Sequence, residues 1–147
     1  MLCVALVTAG TSCLDSHTSA GASPSGSTSP TPVAPSKLDD AVAMPPGFPS
    51  DVPIYPGARL TAGAAFASSG PTTWGMEWET LDSVAKVQHF YSTQLSQGDW
   101  NIQFSGATGT SFSAMFDRKS NSKYTGILGA DGSSGVTKIS LSLVSAP

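Results

Sequence analysis

The sequence predicts an α+β domain in which one amphipathic helix packs on a mostly antiparallel sheet of five to six strands, in the order ββαββββ. Three observations predict it. Residues 82–100 carry apolar side chains at helical spacing, the segments around them alternate between apolar and polar residues, and the connections between the last four of these segments are of hairpin length. A single helix with one apolar stripe must bury that stripe against another layer. We therefore expect a two-layer sandwich, with the helix on the apolar face of the sheet and water on the other face.

The helix prediction depends on four apolar residues at positions i, i+3, i+7 and i+11, which form one stripe on a helix with 3.6 residues per turn. They are Val84, Val87, Tyr91 and Leu95. Asp82 or Ser83 is placed to cap the first turn by accepting a backbone hydrogen bond. Gly98 stands where a residue in the left-handed conformation would end the helix.

Six segments have the alternation of half-buried strands. They span residues 58–67, 73–80, 100–105, 112–117, 124–130 and 137–143. The apolar positions collect on one face of the predicted sheet: Trp74, Met76, Trp78, Trp100, Phe104, Phe112, Phe116, Ile139 and Leu141. We expect the opposite face to be mostly Ser, Asn, Gln, Glu and Lys.

Composition divides the chain into three parts. Residues 48–147 are predicted to form the single α+β domain, and residues 14–47 a tether followed by a Pro-rich lead-in. Residues 16–36 are almost wholly Ser, Thr, Ala, Gly and Pro, a composition that cannot bury enough apolar surface to fold, so we expect disorder there. The lead-in, Met44–Ala58, contains five prolines and should be extended. We expect it to lay four side chains on the domain: Phe48, Val52, Ile54 and Tyr55.

The N-terminal residues 1–13 indicate export. Residues 1–12 hold a short apolar run followed by small residues, too short to span a bilayer, which takes about 20 residues. The run is typical of the end of a secretory signal peptide. The motif Ala-Gly-Thr-Ser before Cys13 resembles the lipobox of bacterial lipoproteins, which implies lipidation of Cys13 and a membrane anchor at the cell surface. A secreted protein without lipid and an unprocessed apolar N-terminus are the alternatives.

Composition and charge argue against several classes of function. The chain has a formal net charge of −3, and 12% of its residues are charged. Because phosphate binding needs a concentrated basic face, nucleic acid is not an expected partner. Both cysteines lie in the first thirteen residues, so the predicted domain has no disulfide or thiol chemistry. No metal-ligand spacing or cofactor motif is present in the sequence, and we expect no metal site and no cofactor.

Two groups of residues are candidates for catalysis. His89 is the only histidine of the domain, and its helical angle places it opposite the apolar stripe, where a solvated side chain is the ordinary interpretation. Glu77 and Glu79 point to the same side of one strand, about 7 Å apart, a separation that glycosidases use. A flat, solvated sheet face provides no cleft that would shift the pKa of either carboxyl group. We therefore expect no enzyme, and no catalytic residue is assigned.

Two surfaces are candidate binding sites. A small apolar ligand would be held between helix and sheet, in a pocket formed by Trp74, Trp78 and Tyr91. A protein or glycan partner would contact the polar face of the sheet, whose candidate residues are Asn101, Gln103, Ser113 and Ser140. A pocket left incompletely filled by the three aromatic residues would favour a ligand carrier, whereas dense packing would favour a module that acts by its surface.

Three motifs together are similar to small C-terminal domains of bacterial exported lipoproteins of uncharacterised function. They are FPSDVPIYPGA at residues 48–58, V-x-x-F-Y-x-x-x-L-x-x-x-x-W at residues 87–100 and TKISLSL at residues 137–143. The resemblance implies a location and a fold, and it carries over no catalytic residue. The leading hypothesis is a non-catalytic, monomeric domain tethered at the cell surface that serves as a binding or envelope-structural module. The alternatives are a carrier of a small apolar ligand and, with less support, a small hydrolase.

Overall fold

The computed structural model describes residues 37–67 and 69–145, which contain six strands and one helix. The elements are β1 Arg59–Ala67, β2 Thr72–Thr80, α1 Val84–Gln94, β3 Trp100–Ala107, β4 Ser111–Arg118, β5 Thr125–Asp131 and β6 Thr137–Ser145. The predicted α+β class and the ββαββββ order are confirmed. The predicted signal segment, Cys13 and the Ser/Thr-rich tether lie outside the described residues.

The six strands form one open antiparallel sheet with the order β1-β2-β6-β5-β4-β3. The last four strands are a meander, as their short connections predict. The helix α1 carries the chain from β2 to the far edge at β3, and the final strand β6 then fills the place beside β2. β2 therefore pairs with β1 on one side and with β6 on the other, and the pairing of β2 with β6 brings together the beginning and the end of the domain sequence.

The helix α1 lies within the stretch 82–100 and between the predicted capping residue Ser83 and the predicted end at Gly98. Ser83 is the N-cap, and its Oγ accepts a hydrogen bond from the Lys86 backbone N–H at 3.5 Å. The last helical hydrogen bond runs from Leu95 N to Tyr91 O, 2.9 Å, after which the chain turns. Gly98 has φ +63°, the left-handed conformation that ends such a segment. The predicted apolar stripe is buried along its whole length.

Two segments of the chain, side by side, cover the apolar side of the sheet, which we call the inner face. The helix lies over β4 and β5. The lead-in lies over β1 and β2: Phe48 packs edge-on against Trp74 and Trp78, with ring centroids 6.3 and 6.2 Å apart. Trp74 Nε1 also donates a hydrogen bond to Pro46 O at 3.3 Å. The Pro-rich segment is thus part of the core on this side of the sheet.

The four predicted lead-in contacts do not all form. Val52 and Tyr55 are buried and Phe48 is half-buried, but Ile54 is 39% exposed, so its predicted packing on the domain is wrong. The contacts of the chain with the sheet also begin before residue 48. Val42 N donates to Leu60 O at 2.9 Å on the edge strand β1. Asp39 and Pro46 also form hydrogen bonds with β2, and the start of the domain at residue 48 stays a prediction.

A clasp centred on Arg118 joins the lead-in to the sheet. The guanidinium lies between the rings of Trp100 and Tyr124, 4.8 and 4.7 Å from their centroids. Its Nη2 donates to Asp51 Oδ2 at 2.5 Å, and the Asp51 carbonyl accepts a hydrogen bond from Trp100 Nε1 at 3.2 Å. Arg118 Nε is buried without a hydrogen-bond partner among the described residues; the carboxylate oxygen of Asp99 is 3.9 Å away. The clasp combines stacking with a partly exposed ion pair.

We expect Arg118→Ala to lower the free energy of unfolding by about 1–2 kcal/mol, because it removes two ring contacts and the bond to Asp51. Arg118→Lys should recover less than half of that loss, since an ammonium cannot stack as the planar guanidinium does. Urea unfolding measures both values. Lys119→Ala is the matched control, because Lys119 makes an exposed hydrogen bond to Gly98 O. Equal stability of Arg118→Ala and Lys119→Ala would show that the clasp adds nothing.

Candidate functional site

The three residues of the predicted ligand pocket lie inside the core. Trp74, Trp78 and Tyr91 are 5, 2 and 1% exposed, and all three belong to the same cluster of buried side chains. Phe48 packs against both indole rings, and Phe90 packs edge-on against the Tyr91 ring at 5.1 Å between centroids. The structure therefore brings the three residues into one core and packs other aromatic rings against them. By the criterion set from the sequence, this packing favours a module that acts by its surface.

One polar atom in this core has no hydrogen-bond partner among the described residues. The hydroxyl of Tyr91 is buried and unsatisfied. Burial raises the pKa of this phenol well above its usual range, and the backbone N–H of Tyr55, which is close to the hydroxyl but outside the geometry of a hydrogen bond, lowers it by a smaller amount. A buried hydroxyl without a hydrogen-bond partner lowers the free energy of unfolding. Apolar packing therefore does not explain why this hydroxyl is in the core.

The predicted polar contact residues share the opposite side of the sheet, which we call the outer face. The register places Asn101, Gln103, Ser113 and Ser140 there, and all four are exposed. Ser113 Oγ lies 2.9 Å from Ser105 Oγ, and Asn101 Nδ2 donates to Asp117 Oδ2 at 3.3 Å. The four side chains are thus distributed over strands β3, β4 and β6 of one exposed surface. Their role in binding stays a prediction.

The outer face is less polar than the sequence indicates. Phe66, Met115 and Ile127 point outward and are 68, 56 and 58% exposed. Met115 and Ile127 are paired neighbours on β4 and β5, whereas Phe66 stands apart on the edge strand β1. Adjoining exposed apolar side chains are the part of such a surface that points to binding. The expectation of a mostly polar face is wrong for this part of the sheet, and the sequence signal was present: Met115 alternates with buried neighbours, and Ile127 stands beside Leu128 in an apolar run.

Met115 and Ile127 belong to a row that crosses all six strands, which we call the central row. Its members, in order from β3 to β1, are Gln103, Met115, Ile127, Ser142, Gly75 and Ala64. The large side chains occupy the β4–β5 half, and the small ones occupy the β6–β2–β1 half. A shallow hollow of about 180 Å³ lies beside Met115, Ile127 and Val144. A cation and two carboxylates stand toward one end of the same face.

The cation is Lys138, whose Nζ lies 3.3 Å from Glu77 Oε1 and 3.0 Å from Glu79 Oε1. Glu79 is only 3% exposed, so the expectation of a solvated carboxylate is wrong for this residue. The backbone N–H of Asp39 covers it and donates to Oε2 at 2.8 Å. That hydrogen bond lowers the pKa of Glu79, burial opposes the effect, and Lys138 lowers the pKa further. A carboxyl held in its ionised form suits an anchor for the chain segment before β1, whereas a general acid needs a raised pKa.

The lowered pKa of Glu79 predicts acid sensitivity. In the unfolded chain a glutamate titrates near pH 4.3. The stabilising contribution of Glu79 is therefore fully present above about pH 4.3 and is lost as the pH falls through its lower folded-state pKa. We expect the stability of the wild-type chain to decline more steeply below about pH 4.3 than that of Glu79→Gln. Urea unfolding between pH 3 and pH 6 measures both curves, and parallel curves would contradict this account of the Asp39–Glu79–Lys138 contact.

His89 lies on the exposed flank of the helix, away from Glu77 and Glu79 on the outer face. It lines an open groove of about 390 Å³ together with Tyr55, Pro56, Asp82, Lys86, Phe90, Thr93 and Gln94. Asp82 accepts hydrogen bonds there from Tyr55 Oη at 3.0 Å and from Lys86 Nζ at 2.7 Å. The structure does not bring His89 together with the two glutamates, as a hydrolase using them jointly would require.

The structure describes residues 37–67 and 69–145. Within these ranges no group of three or more His, Cys, Asp or Glu side chains is arranged to hold a metal ion. Nor does this part of the chain contain a helix with the length and apolar character needed to cross a membrane.

Comparison with known proteins gives one partial match. A family model described as START domain-like matches residues 60–122, which run from β1 through α1 to the turn after β4 and make up less than half of the chain. No curated protein and no solved structure matches the chain. In the region of β1 to β4 the chain is therefore similar to START domain-like proteins.

Proposed function

We propose that this protein is a non-catalytic binding module, tethered outside the cell by a lipid on Cys13, that acts through the outer face of its sheet. The observation that carries the proposal is the contrast between the two faces. The inner face is covered by the helix and the lead-in, while the outer face exposes the adjacent Met115 and Ile127 at its centre and Phe66 on its edge strand, beside polar side chains. An exposed apolar patch rimmed by polar residues is typical of a surface that binds a partner.

The location rests on the N-terminal sequence. An apolar run and small residues precede Cys13, and a Ser/Thr/Pro-rich segment follows it. This arrangement would hold the domain at a distance from a membrane surface. The described domain is compatible with the tether, because the chain reaches it at residues 38–42 through contacts with β1 and β2. A partner anchored in the same envelope would then be within reach of the outer face.

The experiment that tests the anchor is the intact mass of the protein from the membrane fraction of its host. The proposal predicts a chain that begins at Cys13 and carries diacylglycerol. A soluble chain that keeps residues 1–12, or one that lacks the lipid, would remove the anchor from the proposal. Replacement of Cys13 by Ser should shift the protein from the membrane fraction to the soluble fraction.

A second candidate function is a carrier of a small apolar ligand between helix and sheet. Two observations favour it: the START domain-like match, which is compatible with a ligand-binding fold, and the unsatisfied hydroxyl of Tyr91 in the core. A ligand would have to displace the lead-in, since Phe48 packs on Trp74 and Trp78. Its polar group would then supply the missing partner of Tyr91 Oη.

Titration with a fluorescent fatty acid separates the two functions. The surface module predicts no saturable binding, and Tyr91→Phe should be as stable as the wild type or more stable, because it removes an unpaired buried hydroxyl. The carrier predicts saturable binding that weakens in Tyr91→Phe by about tenfold, the value of one lost hydrogen bond in a buried site. Saturable binding sensitive to Tyr91 would overturn the surface module in favour of the carrier.

A further inference from the structure

We propose that the partner of the outer face is a second copy of this chain, packed face to face about a two-fold axis that runs along the strands between β6 and β5. This inference rests on the proposed role of the outer face. It is carried by the pattern of large and small side chains on the central row, by the charges at one end of that face and by its area.

The central row is complementary to itself. A two-fold axis in the interface along the strand direction brings β5 over the partner's β6 and β4 over the partner's β2, because the sheet order is β1-β2-β6-β5-β4-β3. Ile127 then lies over the partner's Ser142, and Met115 lies over the partner's Gly75. A side chain at Gly75 would have open space on its own chain, since no atom of the described residues beyond its chain neighbours lies within 4 Å of the Cβ position. Each large residue therefore meets a hollow.

The same operation pairs opposite charges. Asp131 and Lys138 are neighbours in the register of β5 and β6, four residues along the strands from the central row. Exchanging β5 and β6 across the axis places Asp131 of each copy over the partner's Lys138. An exposed carboxylate thus meets a half-exposed ammonium at this end of the interface. The central row itself contains no charged residue, so no like charges are brought together there.

The area of the face suits a stable dimer. Six strands about 4.8 Å apart make a surface roughly 29 Å wide, and strands of seven to nine residues at about 3.3 Å per residue make it roughly 23–30 Å long. The product is on the order of 750 Å² per copy. The segment at Asp39 covers the corner of the face at Glu79, and the remainder is still of the size of a standard protein interface, roughly 800 Å² per partner. Two sheets packed in this way are separated by about 10 Å, which the side chains of both faces fill.

The direction of the axis also agrees with the path of the chain. An axis along the strands places the same end of both sheets at the same end of the dimer. The contact of Asp39 with Glu79 therefore lies at the same end of the dimer in both copies. Two chains that reach their sheets from the same end can both be anchored in one membrane, whereas an axis across the strands would place their Asp39–Glu79 contacts at opposite ends.

Sedimentation equilibrium of the full chain tests the proposal, with Cys3 and Cys13 replaced by Ser so that no intermolecular disulfide forms. We expect a monomer–dimer equilibrium with a Kd on the order of micromolar.

Gly75→Met fills the hollow and should weaken the dimer at least about tenfold, although it adds apolar surface. Met115→Ala should also weaken it. The double variant exchanges the large and small partners and should restore the Kd to within about threefold of the wild type. Leu81→Ala, 64% exposed in a turn after β2, is the control and should leave the Kd unchanged.

Three outcomes would overturn the self-pairing. A monomer at all concentrations would do so and would support the monomer expected from the sequence. Tighter association in Gly75→Met would show unspecific apolar contact, and failure of the double variant to recover would remove the proposed axis. None of these results touches the proposed function, which fails separately if Met115 gains no protection from oxidation in the membrane fraction. Protection there with a monomeric purified chain would keep the outer face as a binding surface and assign it to a different partner.

Discussion

Trp78→Ala is expected to lower the free energy of unfolding by about 3–5 kcal/mol, the range for truncating a large buried aromatic side chain. Trp78 is 2% exposed on β2, and Phe48 of the lead-in packs edge-on against its ring. The substitution leaves a cavity where the lead-in meets the sheet, so the lead-in should loosen together with the loss of stability. Urea unfolding followed by circular dichroism measures the first effect, and hydrogen exchange at residues 42–55 measures the second.

Phe66→Ala is the matched control for this prediction, because it removes an aromatic ring from the outer face, where the side chain is 68% exposed. We expect it to change the free energy of unfolding by less than about 0.5 kcal/mol. A cost below about 1 kcal/mol for Trp78→Ala would contradict the closed inner face, since a residue lining a ligand cavity is truncated at a smaller penalty. A large cost for Trp78→Ala beside a small cost for Phe66→Ala would show that the inner face is packed and the outer face is open to solvent.

Gly126→Ala is expected to cost about 2–3 kcal/mol, at the upper end of the range for overpacking. Gly126 lies on the inner face of β5, opposite Phe116 on β4 and Leu143 on β6. A Cβ there would stand 2.6 Å from the Ser142 backbone carbonyl oxygen and closer still to the edge of the Phe116 ring. Phe116 is 1% exposed, so its ring has no free space to move into. Thermal unfolding should show a Tm lower by on the order of 10 °C.

Gly106→Ala in β3 is the control, because the nearest atom to its Cβ position, Ser113 Oγ, is 3.8 Å away. It should be neutral or slightly stabilising, since alanine restricts the unfolded chain. Combining Gly126→Ala with Phe116→Leu should recover part of the loss and reveal the coupling between the two positions. Equal stabilities of Gly126→Ala and Gly106→Ala would show that β5 and β4 are not packed as described.

Much of this fold follows from local patterns. The helix was predictable because four apolar residues keep the period of an amphipathic helix and all four are buried. The meander of β3 to β6 was predictable from short connections. Ser83, one of the two predicted capping residues, caps the helix, and the chain turns after Leu95, before the predicted end at Gly98.

The remaining features depend on contacts distant in the sequence. The pairing of β6 with β2 brings together residues about 60 positions apart, and no local pattern specifies it. Ile127 and Leu128 are both apolar, so their types do not indicate which of them faces the core; Leu128 shares the inner face with Gly126, over which Phe116 packs closely. Glu79 looked solvated because its cover, the backbone of Asp39, comes from a segment without a strand pattern. The candidate outer-face site was therefore predictable in its polar residues and missed in its apolar ones.

Oxidation of the methionines by hydroxyl radicals, in the dilute purified chain and in the host membrane fraction, tests the central claim most directly. Met115 is 56% exposed on the outer face, and Met76 is 4% exposed on the inner face of the same sheet. We predict that Met115 is oxidised rapidly in the dilute chain and is protected severalfold in the membrane fraction, while Met76 is protected in both. Equal oxidation of Met115 in the two samples would contradict a binding role for the outer face, and oxidation of Met76 in the dilute chain would contradict the closed inner face.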